Sequence, residues 1–454
     1  MKENIYEKKS VHSLILYFSI PAVFSLIVEI MASVVDTAFA GHLGKTSVHA
    51  LTAMGLLSPI LSIYTAFQAL FAVSASIMIA KYLKDQKVRD EYFITGICMT
   101  FLASAGVSIC SYLVMPGLLS FIGAEGQIAV LAEQYLKIQL FSNVFSALGY
   151  TLTSSIRAFG YPRAEMLLTG LAVFVNIVFN AIFVFAFELG FTGLAYGTLI
   201  SELCCCLTSV LWLFRHRLLC PGCQISWRKF KQHTFELLKL GIAQTIIQSL
   251  AGCTAFFVNQ SLMLYTTLQH VAVWNVIQKI YTLFLMPIVG ITQGVQTIIA
   301  YFDGDQEEKK KRKTLITTIG YTVFYGVAGL LLIFFFGENI LSLFANSDKI
   351  YQLGNGILRI VFSTFPLMGI FYTIMTLYEV TGHEGKAVFL ILTRQVFLMI
   401  PLTYLLPKIF PEFPFAVFCA VPAADITATM IAIKNKREWI DRKYRRTYHE
   451  NKTD

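Results

Sequence analysis

The chain is one unit of about 220 residues written twice. Displacing the sequence by 222 residues lays LSFIGAEG, from Leu119 to Gly126, over LSLFANSD, from Leu341 to Asp348. The same shift lays YLKIQLFS from Tyr135 over ILRIVFST from Ile357, Tyr150-Thr151 over Tyr372-Thr373, and Gly160 over Gly382. No gap is needed from about Ile94 to about Phe185. A duplicated polytopic unit suits transport, because two bundles rocking about a shared midplane cavity can open it to either side in turn.

What is repeated is a set of membrane spans. Hydrophobic residues make up 56% of the 454 and charged residues only 14%, which excludes an ordinary soluble domain. Apolar runs of about 20 residues, the length that crosses ~30 Å of hydrocarbon, recur twelve times. They lie near 13–40, 51–80, 93–115, 131–156, 164–187 and 191–214, then near 235–264, 270–301, 314–336, 353–381, 386–406 and 413–433. The expected fold is therefore all-α and integral to the membrane. It has an N-terminal six-helix lobe over 1–214, a cytoplasmic linker over 215–234, and a C-terminal six-helix lobe with a basic tail over 235–454. Six spans per copy is an even number, so the repeats enter the membrane in the same sense and are parallel, around a central cavity.

The basic residues are topology signals. They crowd onto the even-numbered loops and both tails, among them Lys81, Lys84, Lys87 and Arg89, then Lys309 to Lys313. The alternate loops hold three, Lys45, Lys349 and Lys408. That asymmetry places both termini in the cytoplasm, in a cell-membrane protein. It also explains the net charge of +9 without a nucleic-acid partner; contacts to anionic membrane lipid are the expected secondary role. The first apolar run is too long for a cleavable signal and is expected to remain as the first helix. The chain is expected to act as a monomer.

Cysteine usage says little. Seven of the nine, including Cys204, Cys205 and Cys206, fall within spans as small core residues. Cys220-Pro-Gly-Cys223, between His216 and His233, has metal or redox spacing, but with no second pair and no thioredoxin-like unit a reduced loop pair is the simpler reading. Neither a metal nor an organic cofactor is expected.

Charges inside the spans carry more information, because an ionised side chain at the bilayer centre costs about 2.5–3.5 kcal/mol on insertion scales and faces a partner or a wet cavity. The first span holds Glu29 and Asp36 in IVEIMASVVDTAFAG. Seven residues is almost two turns, so both carboxylates share one helix face about 10 Å apart. The alternative is a pair neutralised by a neighbouring helix, but this span has no Lys or Arg. The fifth span holds Asn176 and Asn180 at i, i+4, and the sixth repeats the spacing with Thr198 and Glu202. Amides can ligate Na⁺ or orient a carboxylate, and they also glue membrane helices together. The second copy has Leu398 and Leu402 where the first has the two asparagines, so the polar cluster belongs to the N-terminal lobe alone.

These residues resemble a known family. Asp36 in VVDTAFAGHLG, with Pro21 fifteen residues earlier, is similar to the first span of multidrug and toxic compound extrusion (MATE) transporters. NIVFNAIFVFAFELGFTGLAYGTLIS from Asn176 resembles that family's fifth and sixth spans, and NQSL from Asn259 with PIVGITQGVQTIIAYFDGD from Pro287 its seventh and eighth. The resemblance implies an antiporter that exports organic, often cationic, compounds in exchange for H⁺ or Na⁺. It implies coupling at Asp36, and a lobe cavity lined by Glu29, Tyr135, Asn176, Asn180 and Thr198. Glu29, Asp36 and Tyr135 are the expected substrate contacts. Many relatives carry an aspartate at the position of Asn180 and a glutamine at that of Glu29, so one acid has in effect moved from the fifth span to the first. With a single carboxylate among Asp36, Asn176, Asn180 and Thr198, and Glu29 repelling it along the same face, H⁺ is favoured over Na⁺.

Two other classes are disfavoured. A flippase for lipid-linked oligosaccharides, of the same wider superfamily, needs buried Arg or Lys for a pyrophosphate, whereas this lobe is acidic. A polytopic membrane enzyme needs a catalytic cluster, and no metal spacing such as His-Glu-x-x-His occurs. In the second lobe Glu379, Arg394 and Asp425 are the ionisable candidates, with Glu379 and Arg394 expected to pair or gate.

Overall fold

The computed structural model describes residues 5–43, 46–218, 225–342, 348–413 and 415–450; Lys45, Cys220 and Cys223 lie outside them. The described residues are helical almost throughout, as a chain in hydrocarbon must be to satisfy its own backbone groups. A short α1 (Ile5–Lys8) precedes α2 (Val11–Gly41), α3 (Ser47–Lys81), α4 (Gln86–Leu113), α5 (Met115–Phe121), α6 (Gly126–Ala158), α7 (Pro162–Ala181) and α8 (Phe191–Arg215). The second copy comprises α9 (Trp227–Tyr265), α10 (Leu268–Gly304), α11 (Glu308–Ser342), α12 (Asp348–Phe362), α13 (Phe365–Val380), α14 (Glu384–Leu392), α15 (Ile400–Ile409) and α16 (Ala420–Glu450). Counting interrupted helices once, each copy contributes six spans. Nine described spans meet a length and apolarity criterion for crossing a membrane on their own.

The repeat is written into the helix boundaries. α4 and α11 begin at Gln86 and Glu308, α6 and α12 at Gly126 and Asp348, and α7 and α14 at Pro162 and Glu384, each pair 222 residues apart. α6 and α13 end at Ala158 and Val380 with the same offset. Gly160 and Gly382 then reverse the chain at φ +97° and +75°, a left-handed conformation that a side chain would strain.

Two departures from the continuous spans read in the sequence have local causes. The expected 353–381 helix breaks at Ser363-Thr364, because Pro366 in the first turn of α13 cannot donate to the preceding turn. The first copy has Val144 at that register and α6 runs unbroken. Both fifth spans carry π-helical segments, Ile182–Ala186 after α7 and Thr393–Met399 after α14. They are not at equivalent positions, so the copies differ most where their chemistry differs.

The chain divides into two compact units. The first comprises Met1–Ser249 with Gln293–Lys310, and so includes the start of α9 and the end of α10. Glycines let these helices touch: a Cβ on Gly241 would stand 2.0 Å from the Leu70 carbonyl oxygen, and one on Gly304 would stand 1.9 Å from that of Lys81. At this end Lys81 Nζ bonds Asp303 Oδ2 at 3.1 Å, the two residues being repeat equivalents. Lys84 bonds Asp305 at 2.7 Å and Glu7 at 3.0 Å, and the buried Glu91 accepts from Lys229 at 2.8 Å and meets His233 at 3.1 Å.

The second unit, Leu250–Thr292 with Lys311–Asp454, has an aromatic centre of Tyr281, Phe284, Phe362 and Phe365. It holds a buried charged pair, Arg394 Nε to Asp425 Oδ1 at 2.7 Å, with the Thr364 hydroxyl donating to Asp425 Oδ2 at 3.1 Å. Arg394 therefore pairs with Asp425, not with the Glu379 partner expected from the sequence. The break after α12 turns Thr364 onto this pair, and the π-helical turn carries Arg394 to it.

Candidate functional site

The polar residues of the first copy converge where α2, α7 and α8 meet. Asn180, fully buried near the end of α7, donates from Nδ2 to Asp36 Oδ1 of α2 at 2.6 Å. The same amide nitrogen donates to Asn176 Oδ1 at 3.1 Å, as the i, i+4 spacing allows. Asn176 Nδ2 faces Thr198 Oγ1 of α8 at 3.4 Å, and the Thr198 hydroxyl donates onward to the Leu194 carbonyl at 3.0 Å. Four residues from three helices thus form one connected hydrogen-bond network. Donation runs both ways from Asn180, to the Asp36 carboxylate on one side and through Asn176 and Thr198 to the Leu194 carbonyl on the other.

A glycine makes this possible. A Cβ on Gly197 would lie 2.0 Å from Asn180 Oδ1 and 3.0 Å from the Asn180 backbone nitrogen, so only glycine admits the amide between α7 and α8. Asn180 Oδ1 itself has no hydrogen-bond partner. The π-helical segment begins two residues later, and such widened turns are frequent at functional sites.

The other expected residues sit around the cluster rather than in it. Tyr135 of α6 is buried, stacks on Phe191 at 4.6 Å and stands in electrostatic range of Asp36. Glu29 is exposed on α2, and its charged neighbours are Glu165, Glu202 and Arg157 rather than Asp36. Arg157 is committed to Glu165 at 2.6 Å, and Glu202 has the Ser146 hydroxyl as partner. Glu202 was visible in the sequence as the second member of the Thr198 spacing. Gly197 and Ser146 carried no such signal, since their role depends on which helix lies opposite.

In the second copy, Leu398 and Leu402 replace the two asparagines, and a buried charged pair joins Arg394 to Asp425. Among the described residues no group of three or more His, Cys, Asp or Glu side chains is arranged to hold a metal ion.

The family model for MatE matches residues 21–182 and again 245–405, one match to each copy. The chain belongs to the MatE family. Its MatE relatives include the multidrug export protein MepA of Staphylococcus aureus strain MRSA252, 23% identical over 414 residues and 89% of each chain. The MepA of Staphylococcus haemolyticus strain JCSC1435 is 23% identical over 408 residues, again 89% of each.

The fold of this MatE chain is likewise that of solved transporters. A mutant of the Vibrio cholerae MATE transporter VcmN matches at a TM-score of 0.88 with 18% identity, covering 95% of this chain and 97% of that one. An outward-facing multidrug resistance MATE family transporter of the MOP superfamily matches at 0.89 with 21% identity, covering 97% and 98%. At these identities the likeness fixes the fold: twelve membrane helices in two six-helix repeats.

Proposed function

We propose that this MatE protein is an H⁺-coupled antiporter that exports organic cations across the cell membrane, with Asp36 as the coupling residue. The bond from Asn180 Nδ2 to Asp36 Oδ1 carries the reading, because it joins the span with the membrane-embedded acid to the span with the amide pair. The names of the relatives, multidrug export proteins, support the class of cargo. The acidic interior of the first copy supports a cationic one.

The orientation of the amides favours H⁺ over Na⁺. A sodium ion at this cluster needs oxygen atoms turned toward it. Asn176 Oδ1 already accepts from Asn180, Asn180 Oδ1 is turned against Gly197, and Asn180 presents its N–H to Asp36. Three polar neighbours thus leave the carboxylate as the group free to exchange an ion, and a carboxylate alone binds a proton far better than it binds Na⁺. The protonated form releases the site's negative charge, and an organic cation competes for the deprotonated one. No cofactor enters this scheme.

Efflux of a fluorescent organic cation from proteoliposomes tests it. An imposed pH gradient in sodium-free buffer should drive transport, and collapsing the gradient should stop it. Transport driven by a Na⁺ gradient at constant pH would overturn the choice of ion, and full coupled export by Asp36→Asn would overturn the site.

A further inference from the structure

We propose that the adjoining starts of α2 and α7 form a binding site for one anionic phospholipid. Two cations from distant parts of the sequence meet there on one ring: Lys9 Nζ lies 3.7 Å from the centroid of Tyr17, and Arg163 Cζ lies 5.4 Å from it. Two like charges on one aromatic repel each other, and the ring face compensates by only about 0.5–1 kcal/mol at an accessible site. No acidic side chain pairs with either among the described residues. The acids nearest along the chain are engaged elsewhere, Glu7 with Lys84 and Glu165 with Arg157. The pocket therefore has two positive charges and no resident anion.

The surroundings say what kind of anion fits. Tyr17, Tyr161 and Trp212 gather at this end of the lobe, with Tyr161 meeting Trp212 edge-on at 5.0 Å, an aromatic grouping typical of headgroup depth. From the cations, two exposed apolar stripes run down the packed helices: Leu16, Ile20 and Phe24 on α2, and Leu167, Leu171 and Phe174 on α7. Spacings of three and four keep each stripe on one face. A soluble phosphate would use the cations and leave those stripes idle. A phospholipid uses both, its phosphate between Lys9 and Arg163 and its acyl chains along the stripes. The first turn of α7, a helix of 20 residues, adds amide dipoles of the right sign. The proposal rests on the chain spanning a membrane and is independent of what it exports.

The full-length protein, purified from vesicles of phosphatidylcholine with phosphatidylglycerol, is examined by native mass spectrometry for retained lipid. Wild type should hold one phosphatidylglycerol that phosphatidylcholine does not displace. Lys9→Ala/Arg163→Ala should bind it ~30-fold more weakly, at about fivefold for each basic side chain near an anionic headgroup. The exposed Arg163→Gln, which touches no core, should lose about fivefold, while Lys9→Arg/Arg163→Lys and the remote Lys408→Ala should match wild type. Equal retention by wild type and the double alanine variant would overturn the site. So would equal displacement by phosphatidylcholine, or equal protection by inorganic phosphate.

Discussion

Replacing Gly197 with alanine tests the polar cluster around Asp36 without removing any of its polar atoms. The added Cβ would stand 2.0 Å from Asn180 Oδ1, 2.9 Å from its Cγ and 3.0 Å from its backbone nitrogen, so the amide must move by about 1 Å. Its other end is bonded to Asp36 at 2.6 Å, and a shift of that size breaks the bond. A hydrogen bond to a charged group is worth about 1.5–3 kcal/mol, so coupled transport should fall between about tenfold and about 150-fold. Overpacking alone costs about 1–3 kcal/mol of stability, so the melting temperature must be read beside efflux of a fluorescent cation under a pH gradient. A double variant separates the two effects. If Gly197→Ala acts by evicting the amide, then Gly197→Ala/Asn180→Ala should transport no worse than Asn180→Ala alone. Wild-type transport by Gly197→Ala, or strict additivity in the double variant, would refute the reasoning.

The buried pair of the second unit should show the asymmetry of buried charge: Arg394→Met alone should cost about 3–5 kcal/mol, and Arg394→Met/Asp425→Leu much less, as read by thermal melting in detergent. Outside the membrane, Lys84 and then Tyr301 hold the Glu7 carboxyl below its ordinary range. A lowered folded-state value gives stability that is fully present above the unfolded value and lost as pH falls through the folded one, so the melting difference between wild type and Glu7→Gln should begin to shrink below about pH 4.3 and vanish only below the lowered folded-state value. For topology, a membrane-impermeant thiol reagent applied to intact cells should miss a cysteine placed at Lys310 and label one placed at Asp348; the reverse pattern would invert the orientation.

The architecture was legible because its signals are local and repeated. Apolar runs of fixed length, alternating positive charge and a 222-residue self-match each constrain the chain without knowledge of its partners in space, and the helix boundaries keep the same offset. The polar cluster was half legible. Helical periodicity put Asn176 beside Asn180 and put Glu29 on the face of Asp36, but it could not say which helix lies opposite. Asp36 proved to face α7, whereas Glu29 faces Glu202 and Glu165, so two acids on one helix serve different surroundings. Arg394 was matched to the wrong partner for the same reason. Its pairing with Asp425 depends on the Pro366 break and on a π-helical turn, neither of which alters the apolar pattern from which the span was read.

The differences between the copies bear on how a duplicated fold becomes a directional machine. With identical halves, an ion and a cargo would find the same chemistry in both. Here the first copy places an acid and a pair of bonded amides where three helices meet, and the second places leucines at the asparagine positions. The second copy buries a charged pair, Arg394 with Asp425, fixed further by Thr364. Both oxygens of Asp425 accept, from Arg394 and Thr364, whereas Asp36 accepts on Oδ1 from the Asn180 amide. The copies therefore match in helix boundaries and differ in the chemistry of their buried polar groups.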